Sequence, residues 1–397
     1  MEKKKLGLLP RLVIAIVLGI VIGLGCKAIN LPIIIELGAT YNGIFGNFIN
    51  FCIPLIIIGF VVPGIADLGE GAGKTLALTT LVAYVSTIIA GSLAFAVDTA
   101  LFPNLVDAGM FVADAENAEH TVLGGLFTVE MPAIMGVMSA LIISFILGLG
   151  ISVTKAEGLK NIFVDFGTII EKLVGSIIIP LLPIHVYSLF ARYAYAGTIV
   201  EMMTSFAKVF AVVLCLHLAI LILQFVIAGA AAKKNPFVLL KNMIPAYTTA
   251  IGTQSSAATI PVTTECTKKN GVSDAIAQFV CPLCATIHLS GSTITLTSCA
   301  MAVMLMQGQT PTFGMMFPFI MMLGITMVAA PGVPGGAVMA ALGVLESMLG
   351  FNDDMLGLMI ALYIAQDSFG TACNVTGDGA IAIFMDAITG KKEEANA

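Results

Sequence analysis

The chain of 397 residues is 58% hydrophobic and 11% charged, with a mean hydropathy of +1.02. A soluble globular domain carries about 25% charged residues, so this composition excludes one and identifies a polytopic membrane protein. The formal charge of -6 comes with no basic patch, which argues against a nucleic-acid partner.

At about 20 residues per crossing, roughly eight spans fit into a single membrane domain, residues 1–397, with no stretch polar enough for a separate soluble unit. The first six predicted spans are Leu9 to Ile29, Asn42 to Leu68, Thr75 to Phe95, Ala133 to Val153, Ile162 to Phe190 and Met202 to Ala230. The first follows a basic start like a secretory signal, but it runs on without a cleavage site and reads as a retained span. Lys3, Lys4, Lys5 and Arg11 precede the first span, Lys74 follows the second, and Lys155 and Lys160 follow the fourth. Lys233, Lys234 and Lys241 follow the sixth, and Lys391 and Lys392 close the chain. The positive-inside rule then predicts a multi-pass cell-membrane protein with both termini cytoplasmic. It places the acidic connection holding Asp98, Asp107, Asp114, Glu116 and Glu119 outside. Membrane lipid is the surrounding partner. The eight cysteines fall mostly in apolar stretches and read as small buried hydrophobes.

From Asn235 onward the apolar segments shorten and are interrupted by Ser, Thr, Gly and Pro. Thr248 to Thr264 and Thr326 to Met339 each read as helix, unwound small-residue tip and second helix, the pattern of a re-entrant hairpin. Each is followed by one long predicted span, Asp274 to Gln307 and then Met355 to Ile388. Hairpin plus helix, twice, is an internal repeat, and paired interrupted segments point to a transporter binding site near the bilayer midplane.

The last span carries the strongest signal. Asp367, Gly370, Thr371, Asn374 and Asp378 recur at three- and four-residue spacings, so on a helix they form one polar stripe about 16 Å long. A charge at a helix centre in the bilayer costs about 2.5 kcal/mol or more, so two carboxylates there read as a substrate or ion site. Broken helices add backbone groups. Ser255 and Ser256 at the first tip can offer hydroxyls and N–H groups to a carboxylate, and Met327, Val328 and Ala330 can offer carbonyls to a cation. An amino acid zwitterion fits: its carboxylate would meet Ser256 and Asn374, its ammonium Asp367 and Thr371, and a cation would neutralise Asp378.

Four ordered motifs carry a resemblance: Ser255-Ser256-Ala257-Ala258-Thr259-Ile260-Pro261-Val262-Thr263, Pro282 to Ser292, the Gly332 to Gly336 tip, and Asp367 to Asp378. Together they resemble the dicarboxylate/amino acid:cation symporter family, strongly from about Lys241 onward. The resemblance implies an all-α polytopic transporter with about eight membrane helices, two hairpins and an inverted-repeat, elevator-type design. It implies a homotrimer, a scaffold mainly within residues 1–200, and a moving part mainly within 201–397 plus the third span. By the same resemblance Ser256 and Asn374 hold the substrate carboxylate, Asp367 and Thr371 the amino group, with Gln254, Ser255, Gly335 and Gly370 lining the pocket. Sodium ligands carry over to Asn374 and Asp378 at one site, and to Thr286 with the carbonyls of Met327, Val328 and Ala330 at another.

Two departures change the expectation. Members that take acidic substrates place an Arg where Gly370 stands or in the first tip, where this chain has Gln254, and Arg11 and Arg192 are its only arginines. A second substrate carboxylate would lack its bidentate partner. The expected cargo is therefore a small neutral amino acid, Ser, Thr or Ala, as in the sodium/serine-threonine branch. An acidic amino acid or dicarboxylate is the alternative, and a passive channel is the rival from another class. The second departure is the family's N-M-D-G-T run, which reads His288-Leu289-Ser290-Gly291-Ser292 here. Ser290 replaces a sodium-binding carboxylate, and His288 makes proton coupling an open alternative beside a structural histidine. No cofactor is expected beyond sodium as the coupling ion. No nucleophile–base pair or metal cluster points to an enzyme. Cys281-x-x-Cys284 heads an apolar span and reads as packing, and His120, His185 and His217 show no ligand spacing.

Overall fold

The computed structural model describes residues 7–69, 74–110, 123–327, 330 and 334–394. Lys3, Lys4, Lys5, Asp114, Glu116, Glu119, His120 and Val328 fall outside these. The first helices are α1 (Leu8–Ala28), α2 (Ile33–Gly69), α3 (Lys74–Leu101), α4 (Val137–Thr154) and α5 (Glu157–Leu173). They continue with α6 (Ile179–Ala196), α7 (Ile199–Ala232), α8 (Pro236–Asn242), α9 (Ile244–Thr253) and α10 (Ser256–Lys269). The last five are α11 (Asp274–Ile287), α12 (Ser290–Met306), α13 (Phe313–Met327), α14 (Gly336–Leu349) and α15 (Asp353–Glu394). Among the described residues, eight segments are long and apolar enough to cross a membrane, counting α5–α6 and α11–α12 as one each. The protein is thus a multi-pass membrane protein.

Both hairpins form as expected. The paired helices of each hold between 10 and 15 residues. At 1.5 Å per residue they reach about 15 to 22 Å, short of an apolar core about 30 Å thick. Two other expectations are corrected. The third span runs past Phe95 to Leu101, so Asp98 belongs to helix α3 and is fully buried instead of lying in the external connection. The span drawn unbroken from Asp274 to Gln307 is interrupted: His288 is extended and Leu289 is also non-helical, with φ/ψ of -115/95 and -117/54. A further irregularity, the wide π turn at Val174–Ile178, precedes Pro180, whose missing N–H cannot close an α turn.

Packing separates the helices into two groups. α1 packs on α6, and α2 on α4, α5 and α6. α15 is central to the second group, touching α7, α9, α10, α11 and α12, while α3 lies along α12 and α13. The spans α11–α12 and α15 are each 89% buried, against 22% for α1, so the least apolar of the spans are also the most enclosed. The two groups meet through polar pairs at the start of α15. Arg192 on α6 bonds Asp354 at 2.7 Å, and Asn50 on α2 donates to Asp353 at 2.9 Å.

Candidate functional site

The interruption between α11 and α12 leaves N–H groups at the start of α12 without an intrahelical acceptor, each costing about 1–3 kcal/mol if buried unpaired. Asn374 supplies the acceptor. Its Oδ1 takes Gly291 N–H at 2.8 Å and Ser292 N–H at 3.2 Å, while its Nδ2 donates to Ser292 Oγ at 2.9 Å. Tyr363, one helical face up α15, donates to the same Ser292 Oγ at 2.9 Å. α12 can approach this closely because residue 291 has no side chain: a Cβ there would lie 2.5 Å from Gly370 O and 2.6 Å from Cys373 Cβ. Gly291→Ala is therefore expected to force α12 off α15, destabilising the protein by about 1–3 kcal/mol and lowering transport with it. A melting curve of the detergent-purified variant that overlays the parent's would refute this packing argument.

Asp367 meets the second tip. Its Oδ2 accepts Gly335 N–H at 2.7 Å, and the tip presents that N–H because Gly335 takes φ 77. The carboxylate is 5% exposed, so the tip contact stands in for water. Thr371 and Asn374 follow on the same face, 6% and 2% exposed. The first hairpin flanks them: Ala250 of α9 packs with Ala372 and Val375. Its tip turns at Gln254, a left-handed residue at φ 53, and Ser255 caps α10 by accepting Ala258 N–H at 3.3 Å. Ser256 is the buried member of the tip. A side chain at Gly370 would meet Thr295 Oγ1, Ser292 N and Gly291 C at 3.6 to 3.8 Å, so that position faces α12.

Asp378, three turns below Asp367, is fully buried and pairs with His288, whose Nδ1 lies 2.9 Å from Asp378 Oδ1. An ionised carboxylate only accepts, so Nδ1 carries the proton. On the far side of the ring, Nε2 lies 3.1 Å from Ser86 Oγ and 3.4 Å from Gln224 Nε2. Gln224 also donates to Ser86 Oγ at 3.0 Å and to Ser290 Oγ at 3.2 Å. Asp378 Oδ2 and Gln224 Oε1 remain without partners. Of the other expected cation ligands, Thr286 is exposed and its hydroxyl donates to Leu283 O at 2.8 Å. Met327 ends α13 and its carbonyl accepts Ala330 N–H at 3.1 Å. Asn374 lies one turn above Asp378 on the same stripe.

Ser86, Gln224 and His217 were not read from the sequence as site residues. His217 Nε2 lies 3.0 Å from Gly291 O and 3.1 Å from Thr295 Oγ1. The available signal was Gln224, the only amide in the long apolar run of α7.

A profile of the sodium:dicarboxylate symporter family matches residues 8–388. A serine/threonine transporter of Acinetobacter baylyi is 24% identical over 401 residues, 96% of this chain and 97% of its own length. Its Acinetobacter baumannii counterpart is 25% identical over 390 residues, covering 94% and 95%. An excitatory amino acid transporter of Caenorhabditis elegans is 26% identical over 259 residues, and the match spans 63% of this chain and 50% of that protein.

Proposed function

The chain belongs to the sodium:dicarboxylate symporter family, a family of secondary transporters, and on that premise we propose that it brings a small neutral amino acid, serine, threonine or alanine, into the cell with sodium. The observation that carries the choice of cargo is the single negative charge of the substrate face, unaccompanied by an arginine. Asp367 offers its carboxylate to an ammonium, and Arg192 on α6 is bound to Asp354 at the start of α15. The acidic rival would need a second anion-binding group that neither Gly370 nor Gln254 supplies as an arginine would. Near full-length similarity to two serine/threonine transporters supports the same reading.

In this mechanism the second tip closes on Asp367 through Gly335, and an ammonium arriving at Asp367 displaces or shares that contact. The carboxylate of the substrate meets Ser256 and the N–H groups of the first tip, with Thr371 and Asn374 completing the face. Sodium neutralises Asp378 at its bare Oδ2, and a second sodium is held by Thr286 with the carbonyls of Met327, Val328 and Ala330. The packing groups support a scaffold of α1, α2, α4, α5 and α6, against which the remaining helices slide; the positive-inside rule puts both termini in the cytoplasm, and the family resemblance implies a homotrimer. Uptake of labelled serine and aspartate by purified protein in liposomes, with and without an inward sodium gradient, tests the reading. Sodium-driven accumulation of serine without aspartate is expected. Accumulation of aspartate would overturn the cargo, and serine flux that never exceeds equilibration would overturn symport in favour of a channel.

A further inference from the structure

Asp98 has no part in the mechanism above. It sits one turn before α3 ends at Leu101, fully buried, and among the described residues neither of its carboxylate oxygens has a partner in hydrogen-bonding geometry. Across the interface with α12 its polar neighbour is the Ser298 hydroxyl, also fully buried and otherwise unpartnered. Cys299, the next residue, lies within reach of the Asp98 charge and accepts from Gln366 Nε2 at 3.5 Å. Gln366 Oε1 is without a partner, and Gln366 directly precedes Asp367 on α15. Buried groups thus extend from Asp98 through Ser298 and Cys299 to Gln366, the residue before Asp367.

A single hydroxyl such as that of Ser298 does not offset the cost of burying an ionised carboxylate that has no counter-charge. None of the described cationic side chains pairs with Asp98. Of the elements packed on α3, α12 presents Cys299, and α13 carries no titratable side chain. On α7, His217 is turned to Gly291 and Thr295, and Lys208 lies in the groove against Ile20 and Leu24. On α15, Asp367 and Asp378 are engaged by Gly335 and His288. On α11, Cys281 and Cys284 pack at the other end of α3 beside Ala83. The charge must therefore be cancelled by a bound ion. Sodium needs a shell of several oxygens, and the ones at hand are the two carboxylate oxygens and one hydroxyl: the carbonyls of α12 around Ser298 close their own helical ladder, and the open carbonyls of the last turn of α3 point past its C-terminus while the Asp98 side chain tilts toward its N-terminus. A proton needs one oxygen, and the resulting O–H can donate to Ser298 Oγ, which relieves both orphans together.

We infer that Asp98 is a proton-binding site of the transport cycle. The carboxylate takes a proton from water at the end of α3, becomes a neutral carboxylic acid donating to Ser298 Oγ, and returns the proton when its helices open to the other side. This rests on the chain being a transporter and not on which amino acid it carries.

Infrared titration of the purified protein, without substrate, tests the site directly. The expected result is a carbonyl band of a protonated carboxylic acid that disappears as pH rises, is missing in Asp98→Asn and changes frequency in Ser298→Ala. A band present at every pH, or insensitive to Ser298→Ala, overturns the inference, and the serine variant decides the matter should Asp98→Asn fail to fold. In liposomes, wild-type uptake normalised to its own maximum should change by up to about tenfold per pH unit, and that of Asp98→Asn by less than about twofold. An unchanged pH profile, or a weakened sodium response with the pH profile intact, also overturns it. Liposomes that take up no serine would sink the cargo reading alone, since the infrared titration contains none.

Discussion

Replacing Asp367 by Asn is expected to abolish sodium-driven serine uptake while leaving the protein folded. The substitution separates two roles of one side chain. As an acceptor for Gly335 N–H at 2.7 Å, Asp367 pins the second tip, and the amide oxygen of Asn accepts the same bond. As the negative charge proposed to face the substrate ammonium, it has no substitute: Thr371 and Asn374, the next polar groups on that face, are neutral. Losing one partner of a buried, hydrogen-bonded charge pair costs about 2–5 kcal/mol, a loss of about 30-fold to several thousandfold in affinity. Serine should therefore no longer raise the melting temperature of the variant, although its melting temperature without serine should stay within a few degrees of the parent's. An Asp367→Asn protein that takes up serine with a KM within about twofold of wild type would remove Asp367 from the substrate site.

How far such a site could be read from the sequence depends on whether its cause is local. The first tip was legible because Ser255 is a helix cap in its own right, whereas Pro261, which reads in the sequence as a restart, lies inside α10. The polar stripe on α15 was legible because helical periodicity alone brings Asp367, Thr371, Asn374 and Asp378 to one face. The break at His288 and Leu289 was not. Neither residue is Gly or Pro, and what stabilises the broken end is Asn374, some eighty residues further along the chain. Asp98 was misplaced for a related reason. Three residues past an apolar run, flanked by more acids downstream, it has the local appearance of a loop residue, and only the packing of α3 on α12 and α13 carries the helix on to Leu101. Ser86 and Gln224 became visible only when three helices converged on the His288 ring.

That convergence sharpens the expectation for Asp378. Its Oδ1 is already spoken for by His288 Nδ1–H at 2.9 Å, and its fully buried Oδ2 has no partner. A carboxylate so placed is stabilised on one side only, and a cation at the bare oxygen completes it. Two unit charges about 4 Å apart attract by about 4 kcal/mol at an effective dielectric near 20, or about a thousandfold in affinity. Asp378→Asn preserves the side-chain shape and an oxygen for the His288 bond, so its effect isolates the charge. The sodium concentration for half-maximal uptake should rise by about a hundredfold or more, to the point where serine flux no longer responds to a sodium gradient. His288→Asn should act in the opposite direction, because the carboxylate would then share less of its charge with the ring and offer more of it to sodium. If Asp378→Asn kept the wild-type sodium response, the bare Oδ2 would not be a sodium ligand and the pair with His288 would be structural. If both variants weakened the response equally, the histidine itself would be holding the ion site in shape.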